Sequence, residues 1–224
     1  MGGEEITCPF AHGEMDINSA LANSCNGVFA QLATELGAET MSKYVEKAGV
    51  LDSYSVDGIA TAKGSFDLTG ASTSQIGWSG VGQYNDLVNP CAMMVWMGAI
   101  ANQGKTAVPY LISKTEGDLP SLPHFTKHTG QLINADTAQV VGDMMANNVR
   151  ETYGSSRFPN MDICAKSGTA EVGGGKQPNA WFAGFLRNSD APYAFVVVLE
   201  EGGSGANAAG NVAAQVLDAL VNGY

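Results

Sequence analysis

Apolar positions recur with helical spacing through most of the first two thirds of the chain. The pattern predicts five helices there, of which the first runs from Ile17 to the region of Ser24. The second has Val28, Leu32 and Leu36 on its apolar face and ends at Gly37, the third spans 39–48, and the fourth spans 89–101 with Pro90 in its first turn. The fifth spans 136–153, with Asn134 as its cap and an apolar side that consists of Val140, Val141, Met144 and Met145. Residues 50–85 are instead rich in Ser, Thr, Asp and Gly, which predicts a long loop.

The last third of the chain has the composition of β-strands. Strands are predicted over 161–171, 179–187 and 193–201, and the short turns between them favour an antiparallel meander. The third strand contains the unbroken apolar run 194–199, which is typical of a strand covered on both faces. A final helix is predicted to pack on this sheet through one stripe: Ala206, Ala209, Val212, Ala213, Val216, Leu217 and Leu220. Helices followed by an antiparallel sheet and a closing helix predict an α+β fold, in a single domain over 1–224.

Composition narrows the classes of protein that this chain can be. Of its 224 residues, 45% are hydrophobic and 15% are charged, which excludes a disordered chain. The net charge of −11 and the dispersed Lys and Arg residues argue against a nucleic-acid partner. No stretch approaches the length of a membrane span, and the acidic start at residues 1–5 does not resemble a signal peptide. An internal methionine at a point of truncation would give the same start.

The four cysteines are far apart in sequence: Cys8, Cys25, Cys91 and Cys164. They lack the close pairs of a zinc or thioredoxin-like site. Cys91 and Cys164 lie in apolar segments and are predicted to be buried as small hydrophobic residues. Cys8 lies in an irregular segment, and its pairing with a residue further upstream is left open. His12, beside Gly13, is predicted to be a turn residue. No metal site and no cofactor are predicted.

The segment Lys166-Ser167-Gly168-Thr169 stands out in the first predicted strand. A regular pleat places Lys166 and Gly168 on one face and the two hydroxyl residues on the other. Gly168 has no side chain, so a ligand can approach the strand closely. A lysine with neighbouring hydroxyls suits the recognition of a carboxylate, and free strand N–H groups can stabilise an oxyanion. An ordinary edge strand with polar side chains would carry the same four residues.

A second segment, Ser24-Cys25-Asn26, lies between two predicted helices. Taken alone it is typical of a helix cap, with Asn26 capping the helix that follows. In this order, however, the two segments resemble the second and third motifs of the penicillin-recognising serine acyl-transferases, S-D-N and K-T-G. The flanking residues 19–29, 82–104 and 180–185 resemble the class B penicillin-binding proteins, and the resemblance covers nearly the whole chain from about residue 5.

The resemblance implies the penicillin-binding transpeptidase, or serine β-lactamase-like, fold. It implies a D,D-transpeptidase that cross-links peptidoglycan stem peptides ending in D-Ala-D-Ala and is acylated by β-lactams, in a membrane-anchored protein on the extracytoplasmic face. Ser24 would relay a proton to the leaving amine and Asn26 would bind a substrate amide. Lys166 would electrostatically support Ser24 and the substrate carboxylate. Ser167 and Thr169 would contact that carboxylate, and the Thr169 N–H would form half of the oxyanion hole.

The chain departs from this family at one decisive point. The nucleophilic motif Ser-x-x-Lys is absent, because no serine in the 224 residues has a lysine three positions later. The first interpretation is therefore the C-terminal portion of a transpeptidase domain, without its N-terminal part and two strands of its sheet. A serine β-lactamase-like relative is an alternative of the same chemistry. A non-catalytic pseudo-transpeptidase that only binds or senses its ligand is an alternative of a different class.

Overall fold

The computed structural model describes residues 5–8, 10–114, 125–188 and 190–223. The α-helices are α1 (Ile17–Ala22), α2 (Asn26–Lys47), α3 (Thr73–Gly80), α4 (Pro90–Ala101), α5 (Ala135–Asn148) and α6 (Gly210–Asn222). The strands are β1 (Ser55–Val56), β2 (Ile59–Ala60), β3 (Ile163–Ala170), β4 (Asn179–Leu186) and β5 (Ala194–Leu199). π-helical turns extend α5 over Val149–Tyr153 and precede α6 over Gly205–Ala209, and a 3-10 turn spans Ser155–Arg157. None of the described helices is both long and apolar enough to cross a membrane.

β3, β4 and β5 form an antiparallel sheet in the order β3-β4-β5, as the sequence predicts. Successive side chains along a strand point to opposite faces, so the sheet contributes to two hydrophobic clusters. One cluster joins the sheet to α6 and the π-helical turns: Val149, Phe158, Ile163, Ala165, Ala180, Phe182, Leu186, Ala191, Ala209, Ala213 and Leu217. The other joins it to α4 and α5: Met97, Ile100, Met145, Ala146, Cys164, Ala183 and Phe185. The predicted α+β fold is confirmed, with the sheet between two helical layers.

The two outer elements of this sandwich are less buried than the sequence predicts. α6 and the π-helical turn before it pack on the sheet through Ala209, Ala213 and Leu217, but Val216 and Leu220 of the predicted stripe are 52% and 54% exposed. All residues of β5 are only partly buried, although an unbroken apolar run predicts a strand covered on both faces. The reason is its position, because β5 is an edge strand among the described strands.

The predicted break at Gly37 is confirmed, since α2 is two helical pieces joined by a non-helical residue there (φ 76°, ψ 163°). The predicted apolar face of its first piece is wrong. Leu32 and Leu36 are 38% and 54% exposed, whereas Ala30 and Ala33 are buried. α2 packs closely against a neighbouring helix, and a close contact between helices needs small side chains. Alanines and glycines form this contact, rather than the large apolar residues of α2.

The partner of α2 is α3, which lies within residues 50–85, where the sequence predicts a loop. α3 begins with a capping box, in which the Ser72 and Gln75 side chains bond to each other's backbone N–H groups. A Cβ on Gly80 would lie 2.4 Å from Cβ of Ala33, so this contact requires glycine. A helix whose contact face consists of glycines has no apolar periodicity, which explains the wrong prediction.

The other two long helices agree better with their patterns. Asn89 caps α4 by accepting a hydrogen bond from the Ala92 N–H (2.9 Å), with Pro90 in the first turn. α5 follows Asn134, whose side chain makes no capping bond, and buries Met145 while Val140 is 57% exposed. The helix predicted over 136–153 is therefore correct in extent, but its last turn is π-helical.

Candidate active site

The two sequence motifs meet in space, although 142 residues separate them. Lys166 Nζ donates a hydrogen bond to Ser24 Oγ and a second one, of 2.9 Å, to the carbonyl oxygen of Ser167. Lys166 lies on β3 and Ser24 lies in the turn between α1 and α2. The ammonium group thus fixes the serine hydroxyl against the strand.

Burial changes the acid–base properties of this lysine. The Lys166 side chain is mostly buried, which disfavours the charged form and lowers its pKa to about 8. A lysine with a pKa close to neutral is still largely protonated at pH 7 and can act as a hydrogen-bond donor. It also loses its proton far more readily than a lysine in water, as proton-transfer chemistry requires.

The turn that carries Ser24 has a strained backbone and is held by few hydrogen bonds. Ser24 has φ +50°, a left-handed conformation that residues other than glycine adopt rarely and mostly where structure imposes it. The turn is closed by backbone bonds from Ser24 N–H to Leu21 O (3.2 Å) and from Cys25 N–H to Ala20 O (2.9 Å). The strained turn leaves the Ser24 side chain at the surface, in contact with Lys166.

The interpretation of Asn26 as an ordinary helix cap is wrong. The N-cap residue of α2 is Cys25, and Asn26 is the first residue of the helix. The Asn26 side-chain amide donates to the carbonyl oxygen of Thr7 (2.8 Å), so it holds the preceding segment against the motif. Asn26 therefore lies beside Ser24, but its role toward a substrate remains a prediction.

The remaining predicted residues lie along the outer edge of β3. Ser167 N–H points away from β4 and donates to the Tyr153 phenol oxygen (2.7 Å), and the same phenol donates to Ser167 Oγ (2.8 Å). Hydrogen-bonding direction alternates along a strand, so the N–H of Thr169 points to this outer edge too. The Thr169 hydroxyl accepts from the Gly205 N–H (3.2 Å) at the start of the second π-helical turn. Gly168 lies between them, and a Cβ on this residue would lie 3.4 Å from Cβ of Trp181.

A cluster of thiol and imidazole groups adjoins the Ser24 turn. The Sγ atoms of Cys8 and Cys25 are 3.6 Å apart, and the Gly27 N–H donates to Cys8 Sγ (3.5 Å). A ring nitrogen of His12 lies within 4.8 Å of both sulfurs, and His12 Nδ1 is buried without a hydrogen-bond partner among the described residues. Thiolate and imidazole are ligands that zinc prefers, but a closed structural zinc site uses four ligands and this cluster provides three.

Sequence reasoning missed this cluster, because spacings of 17 and 13 residues match no short metal motif. It treats His12 as a turn residue and leaves Cys8 open to a partner upstream, whereas both lie against Cys25. The prediction for Cys164 is confirmed, since this residue is fully buried and burial raises the pKa of its thiol to about 12. Cys91 is only partly buried.

Comparison with known proteins agrees with this geometry. The sequence profile described as "Transpeptidase: Penicillin binding protein transpeptidase domain" matches residues 5–222. The chain belongs to this family. The matched segment includes both motifs, Ser24-Cys25-Asn26 and Lys166-Ser167-Gly168-Thr169, so the resemblance seen in the sequence is confirmed.

Individual relatives in the family are distant. The chain is 25% identical over 207 residues to the peptidoglycan D,D-transpeptidase PbpA of Mycolicibacterium smegmatis, which covers 89% of this chain and 42% of the relative. It is 25% identical over 250 residues to the peptidoglycan D,D-transpeptidase MrdA of Escherichia coli K12, covering 96% of this chain and 38% of the relative. The chain thus spans well under half the length of these relatives.

The fold is similar to that of solved penicillin-binding proteins. One is penicillin-binding protein A from M. tuberculosis, solved as a ceftriaxone acyl-enzyme complex, with a TM-score of 0.83 and 23% identity. The similarity covers 92% of this chain and 48% of that one. It confirms the predicted penicillin-binding transpeptidase fold for the part that the chain contains.

Proposed function

We propose that this chain forms two walls of the acylation site of a peptidoglycan D,D-transpeptidase, which β-lactams also acylate. The contact of Lys166 Nζ with Ser24 Oγ carries the proposal, because it unites the two motifs at one point. Family membership supports the same chemistry. The nucleophile and its lysine base come from a Ser-x-x-Lys segment that the 224 residues do not contain.

In the proposed reaction, the serine nucleophile adds to the carbonyl of the penultimate D-Ala, and its proton passes to the lysine of the same motif. Ser24 then gives its hydroxyl proton to the leaving D-Ala amine and receives one from that lysine. Lys166, with its pKa lowered to about 8, keeps the Ser24 hydroxyl in place and adds positive charge near the substrate carboxylate. The amine of a second stem peptide displaces the acyl group from the enzyme.

The same proposal assigns the groups that hold the substrate. Asn26 binds a substrate amide, and the hydroxyl groups of Ser167 and Thr169 bind the terminal carboxylate. The Thr169 N–H at the outer edge of β3 stabilises the oxyanion together with the N–H of the nucleophile. Gly168 lets the substrate backbone approach the strand closely. Peptidoglycan and β-lactams lie outside the cell membrane, so the protein works on the extracytoplasmic side.

A non-catalytic binding module is the second candidate function, because the 224 residues contain no Ser-x-x-Lys. The coding sequence directly upstream of Met1 separates the two candidates. An in-frame extension that encodes Ser-x-x-Lys supports the transpeptidase. A stop codon and a ribosome-binding site directly before Met1 support the binding module.

Acylation by a fluorescent penicillin tests the transpeptidase proposal. The 224-residue chain should form no covalent adduct by intact mass, whereas a form extended by an upstream Ser-x-x-Lys segment should form one. In the extended form, Lys166→Ala should slow acylation at least about 100-fold, by analogy with the loss of an electrostatic group in other acyl-transfer sites. Lys176→Ala is the matched control, since Lys176 is exposed and pairs with Glu201 at 3.3 Å. A stable adduct on any serine of the 224-residue chain would contradict the proposal.

A further inference from the structure

The π-helical turn Val149–Tyr153 contacts both motifs at once. Thr152 Oγ1 donates to the carbonyl oxygen of Ala22 (2.7 Å), two residues before Ser24. Tyr153, the next residue, makes the two hydrogen bonds to Ser167 on β3. Neither residue belongs to a motif, yet together they connect the turn that carries Ser24 to the strand that carries Lys166.

The two bonds between Tyr153 and Ser167 determine which proton of Ser167 remains available. The phenol oxygen accepts from the Ser167 N–H at 2.7 Å and gives its single proton to Ser167 Oγ at 2.8 Å. Since Ser167 Oγ then acts as an acceptor toward Tyr153, its own proton is free to be donated elsewhere. A hydroxyl held in this way is a directed donor, which is what a carboxylate ligand requires.

The π-helical geometry places the phenol where it can do this. A π turn bonds each carbonyl to the N–H five positions later, as the bond from Gly154 N–H to Val149 O shows (3.0 Å). Tyr153 therefore faces the same strand as Asn148, five positions earlier, whose side-chain amide donates to Ala165 O (2.7 Å). In an α-helix the fifth residue would point well away from the strand.

Packing holds the Tyr153 ring in place. Its centroid is 5.2 Å from that of Phe182, a fully buried residue of β4 that is paired with Ser167 in the register of the sheet. The ring thus rests on the core while its hydroxyl reaches the edge of β3. Tyr153→Phe would keep this packing and remove only the hydroxyl.

From these contacts we propose that Tyr153 is a positioning residue, which aims the Ser167 hydroxyl at the carboxylate of the peptide or β-lactam. The inference rests on the proposed function, because that function assigns the carboxylate to Ser167. Tyr153 itself does not touch the substrate in this proposal; it acts only through Ser167.

The first test measures the contact without any ligand. In the 224-residue chain, Tyr153→Phe should increase the exchange rate of the Ser167 amide proton with solvent at least about tenfold, because its acceptor is lost. Amide protons of β3 that bond to β4, such as that of Lys166, should keep their exchange rates. The matched control is Tyr44→Phe, since Tyr44 is 61% exposed on α2. An unchanged Ser167 exchange rate in Tyr153→Phe would overturn the proposal.

The second test measures the consequence for the ligand. Binding of benzylpenicillin and of its methyl ester is compared by NMR titration of the 224-residue chain, in which the absence of Ser-x-x-Lys keeps binding reversible. The unmodified chain should prefer the carboxylate form. Tyr153→Phe should reduce this preference about tenfold, the scale of one hydrogen bond to a charged group. Ser167→Ala should reduce it similarly, and the double variant should show no further loss.

The outcomes separate the two proposals. If the unmodified chain does not prefer the carboxylate form, or binds neither ligand, the proposed role of this site in carboxylate binding fails, and the role of Tyr153 fails with it. If the preference exists and Tyr153→Phe retains it in full, only the role of Tyr153 fails. A loss that is equal for both ligands would indicate a merely structural role and would also contradict the inference.

Discussion

The two walls of the candidate site are built in different ways. The strand β3 is part of the sheet, with Cys164 and Ala165 fully buried on its two faces immediately before Lys166. The turn that carries Ser24 lies at the surface, has a left-handed backbone at that residue, and is held by a few hydrogen bonds. One wall is fixed by the core of the protein, and the other is fixed by local bonds and by its contact with Lys166.

Because of this difference, substitutions at the two walls should affect different properties, namely the stability of the fold at β3 and the geometry of the site at the Ser24 turn. Changes beneath β3 should cost a large part of the free energy of unfolding, because they remove buried contacts. Changes in the Ser24 turn should cost little and act mainly on the position of one hydroxyl. Three substitutions test this contrast between the two walls, and a fourth, Asp86→Asn, tests a buried group outside the site.

Phe182→Ala should have the largest effect. Phe182 is fully buried on β4, the strand beside β3, and contacts the rings of Tyr153, Phe158 and Phe195, so its loss should lower the free energy of unfolding by about 3–5 kcal/mol. Denaturant titration measures the change. Phe125→Ala is the control, since Phe125 is 80% exposed and should change the stability by less than about 0.5 kcal/mol. Equal effects of the two substitutions would show that the sheet is not the stable wall.

Gly205→Ala should be the next in size. A Cβ at this position would lie 2.1 Å from the carbonyl oxygen of Gly168, so the π-helical turn and β3 would have to separate. The expected loss is about 1–3 kcal/mol, together with altered chemical shifts at Thr169, whose hydroxyl bonds to the Gly205 N–H. Gly130→Ala is the control, because no described atom other than those of its chain neighbours lies within 4 Å of its Cβ position. A Gly205→Ala chain with unchanged stability would mean that this close approach is absent in solution.

Asp86→Asn tests whether burial outside the site also shifts proton binding. Burial raises the pKa of Asp86 to about 7, although its Oδ1 accepts from Ser79 Oγ (2.5 Å). Between about pH 4 and pH 7 the folded chain therefore holds a proton at Asp86 that the unfolded chain has lost, and stability from this group falls as the pH rises.

The amide of Asp86→Asn keeps an acceptor for Ser79 and carries no charge. It should remove this pH dependence and raise stability at about pH 8 by on the order of 1–2 kcal/mol, with allowance for the partial exposure of the group. Thermal unfolding measures the effect when it is compared at about pH 4.5 and about pH 8, which enclose most of the range in which the folded and unfolded chains differ in the protonation of Asp86. An identical pH dependence in the two chains would show that Asp86 is already ionised in the folded protein at neutral pH.

Ser24→Gly should have the smallest effect and, unlike Phe182→Ala and Gly205→Ala, should not lower the stability. Glycine adopts the left-handed conformation at φ +50° without strain, so stability should stay the same or rise by up to about 1 kcal/mol. Ser42→Gly, the same change inside α2, should lower it by about 0.5–1 kcal/mol. If Ser24→Gly were as destabilising as Phe182→Ala, the Ser24 turn would be a structural element rather than a surface-exposed part of the site.

The sequence predicts the stable wall much better than the site as a whole. The strands β3, β4 and β5 and the helix α6 follow from long apolar patterns, which include large buried residues such as Ile163, Phe182 and Leu217. α3 does not follow, since it contacts α2 through glycine and alanine, which have no apolar signal. The order of the two motifs suggests one site, but their contact depends on the path of the chain between them.

The residues that hold the two motifs in place could not be predicted from sequence patterns either. Thr152 and Tyr153 look like the polar end of a helix, and only the π-helical turn directs them at the two motifs. The cluster of Cys8, His12 and Cys25 depends on the segment before α1 returning to the start of α2. Both features are contacts between distant segments, and neither has a short spacing that marks it in the sequence.

The pKa of Lys166 is the most direct test of the central claim that β3 and the Ser24 turn enclose one site. It can be measured by NMR titration of the chain with ¹³C-labelled lysine side chains, with Lys166→Arg to assign the signal. Burial of the Lys166 side chain, in the position where its ammonium group contacts Ser24, lowers its pKa to about 8. A Lys166 pKa of about 10.4, the value of a lysine in water, would place its ammonium group in solvent, away from Ser24, and would contradict the account.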